Sequence, residues 1–157
     1  MMEAALVFLG FSALGLASMA PTTTFGDAGE FTAAAAVLGL SHAPSYPLHA
    51  LLGKALGTAL PWGNWAYRTN LLSVLAAAGA AALLCAAGKA AGLTRLSRLA
   101  GVCALALAPL WRYEAAVTEV FALHLLALSL LLWALCRWGG TLSGDRPMAA
   151  LGICAGI

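Results

Sequence analysis

Hydrophobic and polar positions along the chain fall into long apolar runs separated by short polar punctuation. Ala4 to Ala20 carries no charge over 17 residues, the lower limit for a membrane-spanning helix. Leu71 to Gly88 gives a second uncharged run of 18 residues, closed by Lys89. Leu99 to Trp111 is only 13 apolar residues, and spans if the helix starts near Leu93 and Arg95 and Arg98 snorkel to the interface. A re-entrant segment is the alternative there, and it would reverse the sidedness of every later helix. Val120 to Cys136 makes a further run, and from Met148 the chain is apolar again to Ile157. The pattern predicts helices across about 4–20, 71–88, 93–111 and 120–136. A fifth, at 148–157, is cut in mid-span, so the chain reads as the N-terminal part of a longer one.

The segment 21–67 fits neither a spanning helix nor a hydrophilic loop. Ala28 to Leu40 is rich in helix formers, with Thr24 or Asp27 placed to cap its start. The sequence His42-Ala43-Pro44-Ser45-Tyr46-Pro47 then breaks the helix, and Pro47 suits the first position of a new one. In that new helix Leu48, Leu51, Leu52, Ala55, Leu56, Ala59 and Leu60 form one stripe. His49, Gly53, Lys54 and Gly57 lie opposite, the pattern of a helix resting in the membrane interface.

Composition agrees: 62% of the 157 residues are hydrophobic and 9% charged, against about 25% charged in soluble domains. A net charge of +2, without a basic tract, gives no footprint for nucleic acid. The four cysteines stand singly in apolar runs, so neither a zinc site nor a redox pair is indicated. A cleaved signal peptide competes for the first run, but Met1-Met2-Glu3 supplies no basic leader. With the N-terminus inside, Lys89, Arg95, Arg98, Arg137 and Arg146 fall on the inner side. Lys54, Arg68 and Arg112 fall outside, in line with the positive-inside rule. Asp27, Glu30, Glu114 and Glu119 are then outside too, so two outer loops bring carboxylates to one face.

In a helix from Ala28, Asp27 and Glu30 share a face at the N-terminal end. Asp27 is read either as a cap or as a catalytic acid/base. His42 and His49, separated by seven residues and two prolines, do not match a metal-ligand spacing. Arg68 and Lys54 are read as headgroup anchors or as partners for a lipid phosphate. No phosphate loop, G-x-S-x-G elbow or H-E-x-x-H is present.

The stretches "GDAGEFTAAAAVLGLSHAPSYPL", "YRTNLLSVL" and "AAVTEVFALH" resemble the transmembrane protein 260 family, also catalogued as domain of unknown function 2723. The family pattern runs approximately G-D-S-G-E-L, H-P-P-G-Y-P-L and, later, E-V-Y-x-L. Matching positions are Gly26, Asp27, Gly29, Glu30, His42, Pro44, Tyr46, Pro47, Leu48, Arg68, Asn70, Glu119, Val120 and Leu123. Departures include Ala28, Ala43 and Phe121, and Ser45 where the family has Gly.

The resemblance implies an all-α integral membrane protein, the N-terminal part of a GT-C-type multi-span helical bundle with interfacial helices in its outer loop. It implies a membrane glycosyltransferase moving a sugar, mannose for the protein O-mannosyltransferases of the family, from a polyprenyl-phosphate donor. The acceptor is a protein or glycan on the outer face of the membrane, the plasma (inner) membrane if the chain is bacterial. Asp27 matches the catalytic acidic residue of the first outer loop, with Glu30 beside it. His42, Tyr46, Lys54, Arg68 and Glu119 are the expected substrate-binding residues, with Arg68 first and Lys54 second for the lipid phosphate. Glu119 matches a second-loop acid that in some relatives serves a divalent metal. The competing class is a transporter or flippase component, which would bury its acids at mid-membrane within the spans.

Overall fold

The computed structural model describes residues 2–138; the run at 148–157 lies outside the described residues. The described residues form seven helices and no strand: α1 Met2–Ser18, α2 Ala28–Val37, α3 Pro47–Ala59, α4 Trp65–Ala90, α5 Arg95–Leu107, α6 Pro109–Ala116 and α7 Phe121–Trp138. Two of them, α4 with 26 residues and α7 with 18, are long and apolar enough to cross a membrane; α1, with 17, is an apolar helix just short of that length. At about 1.5 Å per residue, α4 is roughly 39 Å long.

The continuous helix expected over 93–111 is not formed. Pro109 has no amide proton to donate and disfavours helical geometry at the residue before it. Ala108 is accordingly extended, at φ −67° and ψ 120°, and the chain restarts as α6 with Pro109 in its first turn. The α5–α6 pair nevertheless does not turn back. Glu3, at the start of α1, pairs with Arg95 Nε at 2.8 Å and Arg98 Nη2 at 2.6 Å, at the start of α5. At the other end, Ala20 N donates to Ala116 O at 2.9 Å, where α6 stops. The pair therefore runs the length of α1, parallel to it.

Helix α4 is the central element, with α1, α3, α6 and α7 packed on it. Its buried face is built of small residues, including Ala76, Ala77, Ala78, Ala80 and Ala81. A Cβ on Gly15 would stand 2.7 Å from Val74 Cγ1, and one on Gly79 would stand 2.9 Å from Leu126 Cδ1. Close approach through small residues is how helices associate where burying leucine against lipid gains nothing. Burial follows the same logic. The largest fully buried side chains are Val74, Asn70, Thr69, Thr118, Ser73 and Ser129, while Leu6, Leu9, Leu110 and Leu128 are exposed.

Helix α3 shows the same inversion. Its buried residues are His49, Ala50, Gly53 and Gly57, while Leu48, Leu51 and Leu52 face outward. The small and polar face packs on α2 and α4, and the leucine stripe is left on the outside.

Candidate functional site

The site is assembled at the bundle end where α1 and α6 finish. Asp27 occupies the N-cap position of α2 with φ −83° and ψ −2°, and its side chain makes no capping hydrogen bond. The helix is closed through the backbone instead, Phe31 N donating to Asp27 O at 3.0 Å. Among the described residues, the Asp27 carboxylate is thus free of the structural duty that sequence allowed for it.

Glu30, one turn into α2, is fully engaged. Its two carboxylate oxygens take the backbone N–H of His42 and, at 3.0 Å, His42 Nδ1. The His42 side-chain bond, and then its backbone N–H, hold the Glu30 carboxyl below the usual carboxylate value. The same bond raises the His42 imidazole, with smaller contributions from the negative charges of Asp27 and Glu119. Glu119 arrives from the α6–α7 connection; its Oε1 lies 4.0 Å from where a Gly26 Cβ would stand. Desolvation, then the nearby charges of Glu114 and Asp27, push its carboxyl upward.

The α2–α3 connection that carries His42 has strained backbone. Ser45 lies at φ 74° and Tyr46 at φ 38°, the left-handed region. Glycine reaches that region without a Cβ penalty, which a serine at this position does not avoid. Here the serine holds the turn through Ser45 N to His42 O at 2.8 Å and Oγ to Ser41 O at 3.3 Å. Below it Phe31 gathers three rings, with centroids 5.4 Å from His42, 5.5 Å from Tyr46 and 5.5 Å from His49.

Lys54 and Arg68 are not brought into this group. Lys54 Nζ donates to Ala36 O at 2.6 Å, at the end of α2, and lies 5.1 Å above the Trp65 ring. Arg68 donates to the carbonyls of Gly57 at 2.7 Å, Trp62 at 3.0 Å and Gly63 at 3.0 Å. Both cations satisfy the otherwise unpaired carbonyls at helix C-termini, where the backbone dipole favours positive charge.

A buried chain of hydroxyls and one amide, not legible from the sequence as part of a site, locks the two connections together. Thr32 Oγ1 lies 3.1 Å from Thr69 Oγ1, which lies 2.8 Å from Thr118 Oγ1. Thr118 donates to Asn70 Oδ1, and Asn70 Nδ2 donates to Ala20 O at 2.8 Å. The signal was present as Thr69, Asn70 and Ser73, polar residues on one face of an otherwise apolar helix. Asp27, Glu30 and His42 also each offer a ligand atom within 4.8 Å of one another, a two-oxygen, one-nitrogen set compatible with a divalent cation.

Comparison with known proteins fits this arrangement. Residues 27–157 match the family described as the protein O-mannosyl-transferase TMEM260 N-terminal domain. The mouse protein O-mannosyl-transferase TMEM260 is 36% identical over 149 residues, covering 93% of this chain and 21% of its own length. The chain thus spans about a fifth of that relative. No solved structure matches. The match begins at Asp27 and takes in both acidic connections, and the chain belongs to the TMEM260 family.

Proposed function

We propose that the chain is the N-terminal part of a multi-pass membrane glycosyltransferase. It moves a sugar, mannose by analogy with the mouse relative, from a polyprenyl-phosphate donor to a protein acceptor outside the cytoplasm. The observation that carries the reading is the Asp27 carboxylate, exposed at the start of α2 and uncommitted, beside a Glu30–His42 pair that fixes its surroundings.

In the proposed reaction Asp27 takes the proton of an acceptor hydroxyl as that oxygen bonds to the anomeric carbon. The bond from that carbon to the phosphate oxygen breaks, and its electron pair leaves with the lipid phosphate. His42, drawn toward its charged form, is the cation nearest the acids and offsets the leaving group's charge. Glu30 is a positioning residue that acts through His42. As the alternative to a charged His42, Asp27 and Glu30 with a deprotonated His42 would hold a divalent cation, whose chemistry would be charge neutralisation at the phosphate. Asp27, Glu30 and Glu119 lie outside α4 and α7, the two helices long enough to span, whereas a transport pathway would place its acids within the spans.

The test is Asp27→Asn in the full-length protein. General-base catalysis contributes roughly 10²–10⁴-fold, so sugar transfer should fall by about a hundredfold or more, with folding and insertion intact. An Asp27 needed only for the start of α2 predicts near-normal turnover, because asparagine caps as well as aspartate. Transfer close to normal would retire Asp27 as the base.

A further inference from the structure

Between the α2–α3 connection and α7 lies a cavity of about 360 Å³, in the lower part of the range of roughly 300–1,000 Å³ for small-ligand sites. Among the described residues, no Asp, Glu, Lys or Arg lines it. Its polar handles are Tyr46, His49 and His124, and its apolar wall includes Leu48, Leu123 and Ala127.

His49 is 2% exposed, yet its Nε2 has no hydrogen-bond partner. Leaving a buried polar atom unpaired is costly, so a partner supplied by a ligand is favoured there. Burial also depresses the His49 pKa, holding the ring neutral. His124 Nδ1 lies 2.9 Å from Val120 O. That carbonyl only accepts, so Nδ1 donates to it, and Nε2 is the nitrogen left for a ligand hydroxyl. The Tyr46 ring stands edge-on to both His124 and His42, with centroids 5.9 Å away in each case, so Tyr46 links the cavity wall to the His42 that Glu30 holds.

A lining without carboxylate, ammonium or guanidinium groups, with imidazole nitrogens on one side and aliphatic carbon on the other, suits a neutral polyhydroxylated ring. Hydroxyls bond to the imidazoles, and the ring's C–H face packs on Leu123 and Ala127. A phosphate would find no Lys or Arg here. We infer that this cavity is the sugar-recognition subsite, with His49 and His124 reading the hydroxyls of an uncharged hexosyl ring. The inference rests on the proposed transferase reading. It places the anomeric carbon toward Asp27 and the phosphate outside the cavity.

The experiment uses the full-length protein in nanodiscs, with two readouts. Octyl α-mannoside should raise the thermal midpoint, and Ala127→Trp, which fills the cavity from the exposed side of α7, should abolish that rise while melting normally without ligand. His49→Gln and His124→Gln should change the ratio of mannosyl to glucosyl transfer from polyprenyl-phosphate donors by about tenfold, through KM more than kcat, because hydroxyl-reading sites discriminate by unpaired partners. Octyl mannoside stabilising the protein and its Ala127→Trp variant equally would overturn the subsite. So would an unchanged donor ratio in both histidine variants of an active enzyme. A wild-type protein that binds the mannoside in an Ala127-dependent way but transfers no sugar would instead sink the transferase reading and leave the subsite standing.

Discussion

Asp27 and Glu30 stand three residues apart on one helix, and their surroundings separate their roles. Glu30 is tied at both oxygens to His42, whereas Asp27 is tied to nothing among the described residues. The Glu30–His42 bond has a definite pH window. A raised imidazole stabilises the fold fully below its unfolded value of about 6.5, and that contribution is lost as pH rises through the folded value. A lowered carboxyl contributes above its unfolded value of about 4.5, and is lost as pH falls through the folded one. The connection should therefore be held best between these limits. By NMR, the His42 titration midpoint should lie above 6.5, and Glu30→Gln should bring it down. A midpoint that ignores Glu30→Gln would mean that the pair does not form.

At the scale of elements, α3 depends on two glycines that let it lie against its neighbours. A Cβ on Gly57 would stand 2.1 Å from the Trp65 ring, and one on Gly53 would stand 2.8 Å from Ala35 Cβ. Gly57→Ala must push Trp65 aside, and that ring sits under both Lys54 and Arg68. Overpacking of this kind typically costs about 1–3 kcal/mol, and a lowered thermal midpoint with intact helix content would show it. The hydroxyl chain gives a second prediction. Thr118→Val keeps the shape but removes the donor to Asn70 and the contact with Thr69. It should destabilise by about 1–3 kcal/mol, because buried partners are left unsatisfied, and Thr118→Ser should recover much of that loss. Equal midpoints for the valine and serine variants would show that the hydrogen bonds contribute nothing.

Over the whole molecule, charge is partly sorted by end, Arg68 at the start of α4 sharing the end that holds the acids. Lys89, Arg95, Arg98 and Arg137 gather where α1 begins, with Glu3 neutralising part of them. Asp27, Glu30 and Glu119 gather where α1 finishes. The proposed multi-pass arrangement, with α5–α6 counting as one of four passes, would put these two clusters on opposite sides of a bilayer. In a cysteine-free background, Thr23→Cys and Asn64→Cys should react with an impermeant thiol reagent in intact cells. Ser97→Cys should react only after lysis. External labelling at position 97 would reverse the arrangement.

Periodicity by itself determined a good deal of this. Runs without charge announced α1, α4 and α7, and the stripe beginning at Leu48 announced α3, because both signals are local and repeat with the helix. The family motifs marked Asp27, Glu30, His42 and Glu119. Where charges and hydroxyls end up was a different matter, since a side chain bonds to whatever tertiary packing brings within about 3 Å. Sequence offered Lys54 and Arg68 as headgroup anchors or phosphate partners, and it did not show the carbonyls ending α2 and α3 that folding sets beside them. Asp27 was offered as a cap, and the backbone closed α2 without its side chain. Thr32, Thr69 and Thr118 look like ordinary small polar residues until three separated segments meet. The unpartnered nitrogen of His49 exists only because α3 buries its polar face and leaves its leucines outside.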